Sequence, residues 1–507
     1  MTELLSRGFL TRKLKSAVVL LFSLLLIQFY GLTASKVSAN SSISTSTSVT
    51  QLWSFSTIGS VYTTPIVVNG YVYVNSYFDQ AALGGIFCLN ASTGTQVWNY
   101  ITKVTTEGRP FSPVVADGRI YFNVQSGYLY CLDAYTGAYL WNLTNAGYGR
   151  SPAFVNGIAY VPSGDGNVYA LDAASGAKIW KHTIGPAYGP LVVTGGYVYV
   201  TRRDDEGSSH GIIYCLDAST GDEHWKATIP EYVGSLVVSG GYAYISSYEV
   251  SYLGAEVVFT GNVYAFDAST GAKKWNYTTG SYQGNSPIVV PNVAGHLVYI
   301  GVGNKVCALD ASNGTKIWNH TTEGSAGSPV LRDLCVYVGV NSKSEYGQAS
   351  LYCLDASNGV RVWNFTTEPG NAASSPVVAD DQVYVGNTGP QYFAHPDHYV
   401  YALNASTGEQ IWNYTIEGNA GSLTVADGVV YVGSTFATSG NRDNEGNGAV
   451  YALKPITVTP SPPPSTIIVI IAVAVVSIAI LAVLFLVYRI RRKGADKFAT
   501  QHVVSKP

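Results

Sequence analysis

Side chains that could bind a metal ion cluster at two places in this 507-residue chain. The first is the acidic run Asp204, Asp205 and Glu206, whose oxygen atoms are ligands that Ca²⁺ prefers. The second is the pair His395 and His398, whose imidazoles suit a transition metal. Neither group completes a ligand pattern, and the alternative is two solvated loops. The sequence therefore predicts no metal site and leaves these five residues as candidates.

One aspartate recurs in a phrase of the form Leu-Asp-Ala-Ser-Thr-Gly, at Asp133, Asp172, Asp217, Asp267, Asp310 and Asp355. A carboxylate at a fixed place could act as a general base. However, Asn90 and Asn404 replace it in two copies, which suits a turn former and not a base. An Asx side chain accepts backbone N–H groups two residues further on, and the glycine supplies the bend. We therefore predict a structural role for this aspartate.

Cysteine could provide a third kind of chemistry, because cysteines can form disulfides in an oxidising compartment. Four cysteines occupy a position that is alanine in other copies of the repeat: Cys88, Cys131, Cys215 and Cys353. A position that alternates between cysteine and alanine is a small buried slot, so we expect free core thiols, with bridging as the alternative. Cys307 and Cys335 lie at other strand positions, and no adjacent cysteine pair or haem-attachment motif is present.

The repeat that carries these residues is marked by tryptophan. Nine tryptophans occupy one place in it: Trp53, Trp98, Trp141, Trp180, Trp225, Trp275, Trp318, Trp363 and Trp412. Successive tryptophans are 39 to 50 residues apart, and the units consist of short alternating strands, which is typical of propeller blades. One large ring at a fixed point of every outer strand predicts a structural wedge between blades.

Each unit contains four strand signals, with tight turns such as Asn69-Gly70 and Asp117-Gly118 between the first two. Eight complete units end at Trp412, one strand is left over around Trp53, and three strands follow Trp412. The left-over strands sum to one further blade, so we predict an all-β propeller with nine four-stranded antiparallel blades over residues 53–454. Eight blades are the alternative, because propellers usually have roughly four to eight.

The phrase Ala-Leu-Asp-Ala-x-x-Gly-x-x-x-Trp resembles the tryptophan-docking repeat of the pyrroloquinoline quinone (PQQ)-type propeller family. The resemblance extends over the whole repeat region. It implies a fold shared by quinoprotein alcohol dehydrogenases, an outer-membrane assembly lipoprotein and many surface proteins. With its terminal segments, the chain is most similar to archaeal-type surface proteins of this family.

Both ends of the chain carry targeting signals. Basic residues precede an apolar run and a small-residue site at Val37–Ala39, which predicts a signal peptide over residues 1–39, with an uncleaved anchor as the alternative. Residues 40–52 then form an N-terminal extension. A Pro-rich linker over 455–465 leads to the charge-free segment 466–488, which as a helix spans about 34 Å, enough to cross a membrane. The basic start of the tail, residues 489–507, predicts that the tail is cytoplasmic and the propeller extracellular.

The connections between strands predict two different faces. The first-to-second and third-to-fourth turns are tight, whereas the second-to-third loops carry long insertions on the opposite face. These insertions are Ser76–Gly85, Thr201–Gly211, Ser246–Gly261, Asn341–Ser350, Asn387–Tyr399 and Ser434–Gly448. Variable loops on a rigid scaffold usually carry function, so we expect a protein or glycan ligand at this long-loop face.

Nine N-x-Ser/Thr sequons predict N-glycosylation, at Asn40, Asn90, Asn142, Asn276, Asn313, Asn319, Asn364, Asn404 and Asn413. None lies in the long insertions. The alternative is a repeated Trp-Asn-x-Thr phrase without sugar. The third strand of the last blade ends near Leu453 on the tight-turn face, so we expect that face to look toward the membrane and the loop face outward.

These features favour a non-enzymatic surface scaffold on a single-pass membrane anchor. The resemblance also implies a PQQ-dependent quinoprotein dehydrogenase with Ca²⁺, or a propeller envelope-assembly factor. The chain lacks the vicinal cysteines of such dehydrogenases, so no cofactor is predicted, and no nucleophile–base pair indicates a hydrolase. Charged residues are only 12% and the net charge is −3, so nucleic acid is not an expected partner.

Overall fold

The computed structural model describes the repeat region with several gaps. The described residues are 46–78, 83–103, 112–124, 127–144, 152–185, 191–203, 210–253, 256–282, 288–291, 297–342, 347–369, 372–388, 398–435 and 448–458. The chain divides into two units, of which residues 47–456 form the larger one. The other unit, residues 1–46 and 457–507, lies almost wholly outside the described residues.

The described residues form 38 strands in nine antiparallel sheets, one for each blade. Blade 1 contains β2 (Ile66–Val68), β3 (Tyr71–Phe78), β4 (Leu83–Asn90) and β5 (Gln96–Lys103). Blade 2 contains β6 (Val114–Ala116), β7 (Arg119–Val124), β8 (Tyr128–Asp133) and β9 (Tyr139–Leu143). Blade 3 contains β10 (Ala153–Val155), β11 (Ile158–Pro162), β12 (Asn167–Asp172) and β13 (Lys178–Thr183). Blade 4 contains β14 (Leu191–Thr194), β15 (Tyr197–Arg203), β16 (Gly211–Asp217) and β17 (Glu223–Ile229).

Blade 5 has the longest strands, β18 (Tyr232–Ser239), β19 (Tyr242–Leu253), β20 (Glu256–Asp267) and β21 (Lys273–Tyr282). Blade 6 contains β22 (Ile288–Pro291), β23 (Leu297–Val302), β24 (Lys305–Asp310) and β25 (Lys316–Thr321). Blade 7 contains β26 (Ser325–Ala326), β27 (Val330–Arg332), β28 (Cys335–Asn341), β29 (Gln348–Asp355) and β30 (Arg361–Pro369). Blade 8 contains β31 (Ala372–Ala373), β32 (Val377–Ala379), β33 (Gln382–Thr388), β34 (His398–Asn404) and β35 (Gln410–Ile416). In these last two blades the innermost strand is split into two short pieces, and both pieces pair with the second strand.

Blade 9 joins the two ends of the propeller. It contains β36 (Asn419–Ala426), β37 (Val429–Thr435), β38 (Ala449–Val458) and, as its outermost strand, β1 (Ser46–Ser56). This arrangement confirms nine blades and closure by the first strand, and the eight-bladed alternative is wrong. Both closing strands extend beyond the predicted propeller bounds of 53–454. β1 begins at Ser46, among the residues assigned to the N-terminal extension, and β38 ends at Val458, among the residues assigned to the linker.

The hydrophobic core consists of nine clusters, each between two adjacent blades. All nine tryptophans belong to these clusters and are buried. At the interface of blades 4 and 5, for example, the Trp225 indole N–H donates to the Ala268 carbonyl of the next blade at 3.0 Å. The Tyr199 hydroxyl donates to the same carbonyl at 3.0 Å. Burial and hydrogen bonding therefore act together across the interface.

The glycine of the third-to-fourth turn completes this contact. Gly221 has a φ of 77°, and a Cβ atom built there would lie 2.6 Å from the ring of Trp180 in the preceding blade. Glycine is therefore required twice, by the left-handed backbone and by the indole that packs on it. The same glycine–indole contact occurs in eight interfaces. The exception is the interface that follows Trp412, because blade 9 takes its fourth strand from the N-terminal end and so lacks a third-to-fourth turn.

The predicted hairpin turns are confirmed by the backbone. Asn69 and Gly70 have φ of 51° and 78°, and Asp117 and Gly118 have 49° and 70°. Two consecutive positive values are the signature of the type I′ turn that suits the twist of a hairpin.

Blade 8 departs from this turn chemistry, since Asp380 and Asp381 occupy the two turn positions with φ of 48° and 58°. Asp381 stands where blades 1 to 5 and blade 9 have glycine and blade 7 has Leu334. We expect Asp381→Gly to raise the free energy of unfolding by about 0.5–1 kcal/mol, because glycine adopts this conformation without steric cost. Urea unfolding of the full-length protein measures the change. The reverse substitution, Gly157→Asp, is expected to lower stability, and an unchanged midpoint in both variants would contradict this prediction.

Candidate functional site

The two faces of the propeller differ in how their connections are made. On one face, the third-to-fourth turn bonds the first-to-second turn of the same blade, as in Ala91 N–H to Gly70 O at 2.8 Å and Ala218 N–H to Gly196 O at 2.9 Å. We call this the turn face. The opposite side, which carries the second-to-third connections and the links between blades, is the loop face. Backbone hydrogen bonds between turns close the turn face. Differences between blades in the length and sequence of their connections are therefore concentrated on the loop face.

Part of the loop face is regular β-structure. Residues Ser246–Gly261, expected to be an irregular insertion, form a β-hairpin in which β19 and β20 pair from Tyr242↔Asp267 to Leu253↔Glu256. In blade 1, β3 and β4 stay paired as far as Phe78↔Leu83. The expectation was wrong here because the residues depart from the repeat while keeping a β-strand composition. Most of the insertion at 201–211, and those at 387–399 and 434–448, lies outside the described residues.

A hydrogen-bond network around the half-buried carboxylate of Glu231 lies at the base of the blade-5 hairpin. Glu231, in the link from blade 4, accepts hydrogen bonds from the Tyr264 hydroxyl at 3.0 Å and the Ser247 hydroxyl at 3.0 Å. It also accepts from the Asn262 amide at 3.2 Å, and that amide's oxygen accepts from Thr278 at 2.7 Å. Burial, followed by the hydrogen bond to Glu231, raises the pKa of Tyr264. The network ties the link, β19, β20 and β21 together and fixes the root of the hairpin.

A polar groove of about 490 Å³ opens between blades 8 and 9, where the propeller closes. It is lined by Gln51, Ser54, Ser56, Tyr414, Thr415, Glu417, Gly448, Ala449 and Tyr451. The Tyr414 hydroxyl donates to Gln51 at 2.9 Å, and the Glu417 N–H donates to the Tyr451 hydroxyl at 3.3 Å. This groove was not predicted, because its walls come from opposite ends of the sequence.

The metal candidates are not brought together in the described residues. Asp204, Asp205, Glu206 and His395 lie outside them, and His398 is a buried residue at the start of β34. In the described part of the chain, no three His, Cys, Asp or Glu side chains form a group that could hold a metal ion.

The recurring aspartates act as turn formers, as predicted. Asp217 accepts from the Ser219 N–H at 2.8 Å and from the Thr220 N–H at 3.0 Å, together with the Ser219 hydroxyl. Asn90 accepts the equivalent backbone pair at 2.9 and 3.0 Å. The hydroxyl of Ser219, followed by its backbone N–H, lowers the pKa of Asp217.

This lowered pKa predicts an acid dependence. A carboxylate whose pKa is lower in the folded than in the unfolded state gives its full stabilisation above the unfolded-state pKa of about 3.9. This stabilisation is lost as the pH falls through the folded-state pKa. We expect Asp217→Asn to keep the turn, as Asn90 does, and to lose less stability than the wild type between pH 7 and pH 3. Urea midpoints at the two pH values measure this. Equal acid losses in the two proteins would contradict the assignment.

Eight of the nine sequon asparagines lie within the described residues, and five of them share one environment. Those five follow a blade tryptophan on the outermost strand and are exposed: Asn142, Asn276, Asn319, Asn364 and Asn413. Asn313 is exposed in a third-to-fourth turn, and Asn90 and Asn404 are half-buried in such turns. Asn40 lies outside the described residues. All eight described sequons are thus on the outer strands or the turn face.

The six cysteines are free, and five of them are buried. Burial raises the pKa of Cys88, Cys131 and Cys215 to about 12, so these thiols stay protonated and serve as core side chains. Cys335 is half-buried in β28.

Among the residues that the structure describes, no helix has the length and apolarity needed to span a bilayer. The predicted signal peptide, the transmembrane segment 466–488 and the tail 489–507 lie outside the described residues.

The blade structure and its tryptophan–turn contacts define a class, the propellers built from tryptophan-docking repeats. A family described as "Outer membrane protein assembly factor BamB" matches residues 43–156, 82–185, 164–399 and 348–455. The chain belongs to this PQQ-type repeat family. No curated protein matches it in sequence.

Solved structures with a similar fold include two bacterial proteins. BamB from Moraxella catarrhalis is 17% identical, with 80% of this chain and 99% of that chain covered and a TM-score of 0.46. Quinohemoprotein alcohol dehydrogenase from Comamonas testosteroni is 16% identical, with coverage of 80% and 76% and a TM-score of 0.49. At such identities the likeness concerns the fold and carries no activity to this chain.

Proposed function

We propose that this protein is a non-enzymatic scaffold of the cell surface that binds a protein or glycan ligand at its loop face. In this proposal a single-pass helix at 466–488 anchors it in the membrane, and the propeller is extracellular. The observation that carries the proposal is the asymmetry of the two faces. Backbone bonds between turns close the turn face, whereas paired strands extend the loop face.

The rigidity of the propeller supports a binding role for the hairpin that projects from its loop face. Each of the nine interfaces has its own buried cluster, and Glu231 fixes the root of the blade-5 hairpin through Ser247, Asn262 and Tyr264. A hairpin held in one orientation loses little conformational freedom when a ligand binds, which favours affinity.

The surface location is supported by the sequence signals and the sequon positions. All eight described sequons avoid the loop face, which would leave that face free of sugar. The third strand of blade 9 ends on the turn face, so the proposal places that face toward the membrane. Mapping of occupied sites by mass spectrometry tests this. Sugars within 201–211 or 387–399, or no occupied site at all, would contradict it.

The dehydrogenase alternative rests on family membership. Within the described residues, no three His, Cys, Asp or Glu side chains form a group that could hold a metal ion. Addition of PQQ with Ca²⁺ to the full-length protein is expected to leave the melting temperature unchanged, and a rise of several degrees would favour the dehydrogenase.

Shortening the blade-5 hairpin tests the binding face. Tyr248 and Gly261 are directly paired, so residues 249–260 can be replaced by Asn-Gly, which closes a two-residue hairpin. We expect the full-length variant to lose at least tenfold in retention on cell envelopes that lack the protein. The control is Leu334→Ser, which changes a side chain 77% exposed on the turn face. Equal retention of the shortened variant and the control would contradict the proposal.

A further inference from the structure

The groove between blades 8 and 9 is lined by residues from both ends of the propeller. It lies between β35 of blade 8 and β1 and β38 of blade 9. The rings of Tyr414 and Tyr451 contribute aromatic surface, and Gln51 and Ser54 contribute polar groups. Glu417 is the one charged residue among those that the structure shows lining it. The groove is therefore aromatic, polar and negatively charged.

The sequence repeat explains why the groove is open between blades 8 and 9. The residue after the blade tryptophan is asparagine or lysine in the eight other blades, whereas blade 9 has Ser54. Two positions further on, blade 9 has Ser56, where the other blades have threonine or isoleucine. Ser54 and Ser56, which line the groove, therefore have smaller side chains than the residues at these positions in the other blades.

In three other blades a lysine packs over the tyrosine that corresponds to Tyr451. Tyr451 occupies the third-strand position of Tyr169, Tyr214 and Tyr264 in the repeat. In each of these blades a lysine of the outermost strand places its ammonium group over the tyrosine ring. The distances from Nζ to the ring centroid are 5.1 Å for Lys178 over Tyr169, 5.9 Å for Lys226 over Tyr214 and 5.6 Å for Lys273 over Tyr264.

These contacts have the geometry of cation–π interactions, in which the electron-rich ring face attracts an ammonium ion. Lys178 and Lys273 stand two residues before the blade tryptophan, and Lys226 stands one residue after it. The corresponding residues of blade 9 are Gln51 and Ser54. Tyr451 therefore has no lysine at either of the positions that supply one in blades 3, 4 and 5.

A carboxylate accompanies the tyrosine as well. In blade 5, Glu231 in the preceding link bonds the hydroxyl of Tyr264, the ring that Lys273 covers. In blade 9, Glu417 stands one repeat position earlier than Glu231, and its backbone N–H donates to the hydroxyl of Tyr451, as that of Glu368 does to Tyr401 in blade 8. The Glu417 side chain is exposed at the groove, where it can pair with a cation.

We propose that this groove binds a primary alkylammonium group, which takes the place over Tyr451 that a lysine of the chain itself holds in blades 3, 4 and 5. Tyr414 and Tyr451 provide the aromatic walls, and Glu417 pairs with the charge. The group is either the side chain of a lysine in a polypeptide ligand or the end of a free polyamine. The site does not depend on the extracellular location or on the loop-face hairpin.

Titration of the full-length protein with three small probes tests the site. Nα-acetyl-lysine amide carries the ammonium group, Nα-acetyl-norleucine amide has a similar shape without charge, and 1,5-diaminopentane represents a polyamine. By calorimetry we expect the lysine amide to bind at least fivefold more tightly than the norleucine amide. Tighter binding of the lysine amide than of the diamine assigns a polypeptide lysine, and the reverse order assigns a polyamine. Equal affinity for the charged and uncharged amides would overturn the proposal.

Substitutions at matched repeat positions locate the binding. Ser54→Lys reproduces the arrangement of Lys226 and is expected to abolish binding, because its own ammonium group then occupies the groove. Asn99→Lys makes the same change at the same repeat position of blade 1 and should leave binding unchanged. Glu417→Gln is expected to weaken binding about fivefold, whereas Glu323→Gln, at the same link position after blade 6, should not. Loss of binding in both members of a pair, or in neither, would show that the ammonium group binds elsewhere.

Discussion

Replacement of Gly221 by alanine is expected to lower the free energy of unfolding by about 3 kcal/mol or more. Two costs add at this position. A φ of 77° is unfavourable for any residue with a Cβ atom, and the new methyl group would lie 2.6 Å from the Trp180 ring. The indole cannot easily give way, because it is buried and its N–H is held by the Ala218 carbonyl at 3.0 Å. The shift of the urea midpoint measures the loss.

Gly196 in the same blade separates the two costs. It has a φ of 82°, close to that of Gly221, but a Cβ atom there would meet nothing within 4 Å. We expect Gly196→Ala to cost only the backbone term, about 1–2 kcal/mol. If the two variants lost equal stability, the glycine would be required by backbone conformation alone and the contact with Trp180 would have no energetic weight.

The repeat made the fold predictable because each blade uses the same local chemistry. Nine blades followed from counting strands, and closure followed from the unpaired strands at the two ends. Asp217 was identified as a turn former because Asn90 can replace it. The tyrosines that share a carbonyl with the tryptophans, such as Tyr199 with Trp225, were not identified, although their constant place in the Val-Tyr-Val strands was a visible signal.

The loop face and the groove were less predictable for physical reasons. The blade-5 hairpin departs from the repeat, so no other copy indicated how residues 249–260 fold. The partners of Glu231 come from two strands of the next blade, β19 and β20, which are separated from Glu231 in the sequence. The groove needs Ser54 and Tyr451 side by side, which happens only when the two ends of the chain close the ring.

The docking tryptophans are expected to contribute the largest single-residue stabilisation. Trp225→Ala should lower the free energy of unfolding by about 3–5 kcal/mol, because a buried ring leaves a cavity between blades 4 and 5. It also removes the hydrogen bond to the Ala268 carbonyl, which retains the Tyr199 hydroxyl as its remaining side-chain donor. Urea unfolding of the full-length protein at neutral pH measures the change.

Trp412 allows the contribution of ring burial to be separated from that of the indole hydrogen bond. It is buried like Trp225, but its indole N–H has no hydrogen-bond partner, because blade 9 lacks the turn that would offer a carbonyl. Phenylalanine keeps much of the ring and removes the N–H. Trp225→Phe therefore loses a hydrogen bond worth about 1 kcal/mol, whereas Trp412→Phe loses none and relieves an unsatisfied donor. We expect Trp225→Phe to be the more destabilising by about 1 kcal/mol or more. Equal losses would mean that the hydrogen bond from the Trp225 indole to the Ala268 carbonyl adds nothing to the burial of the ring.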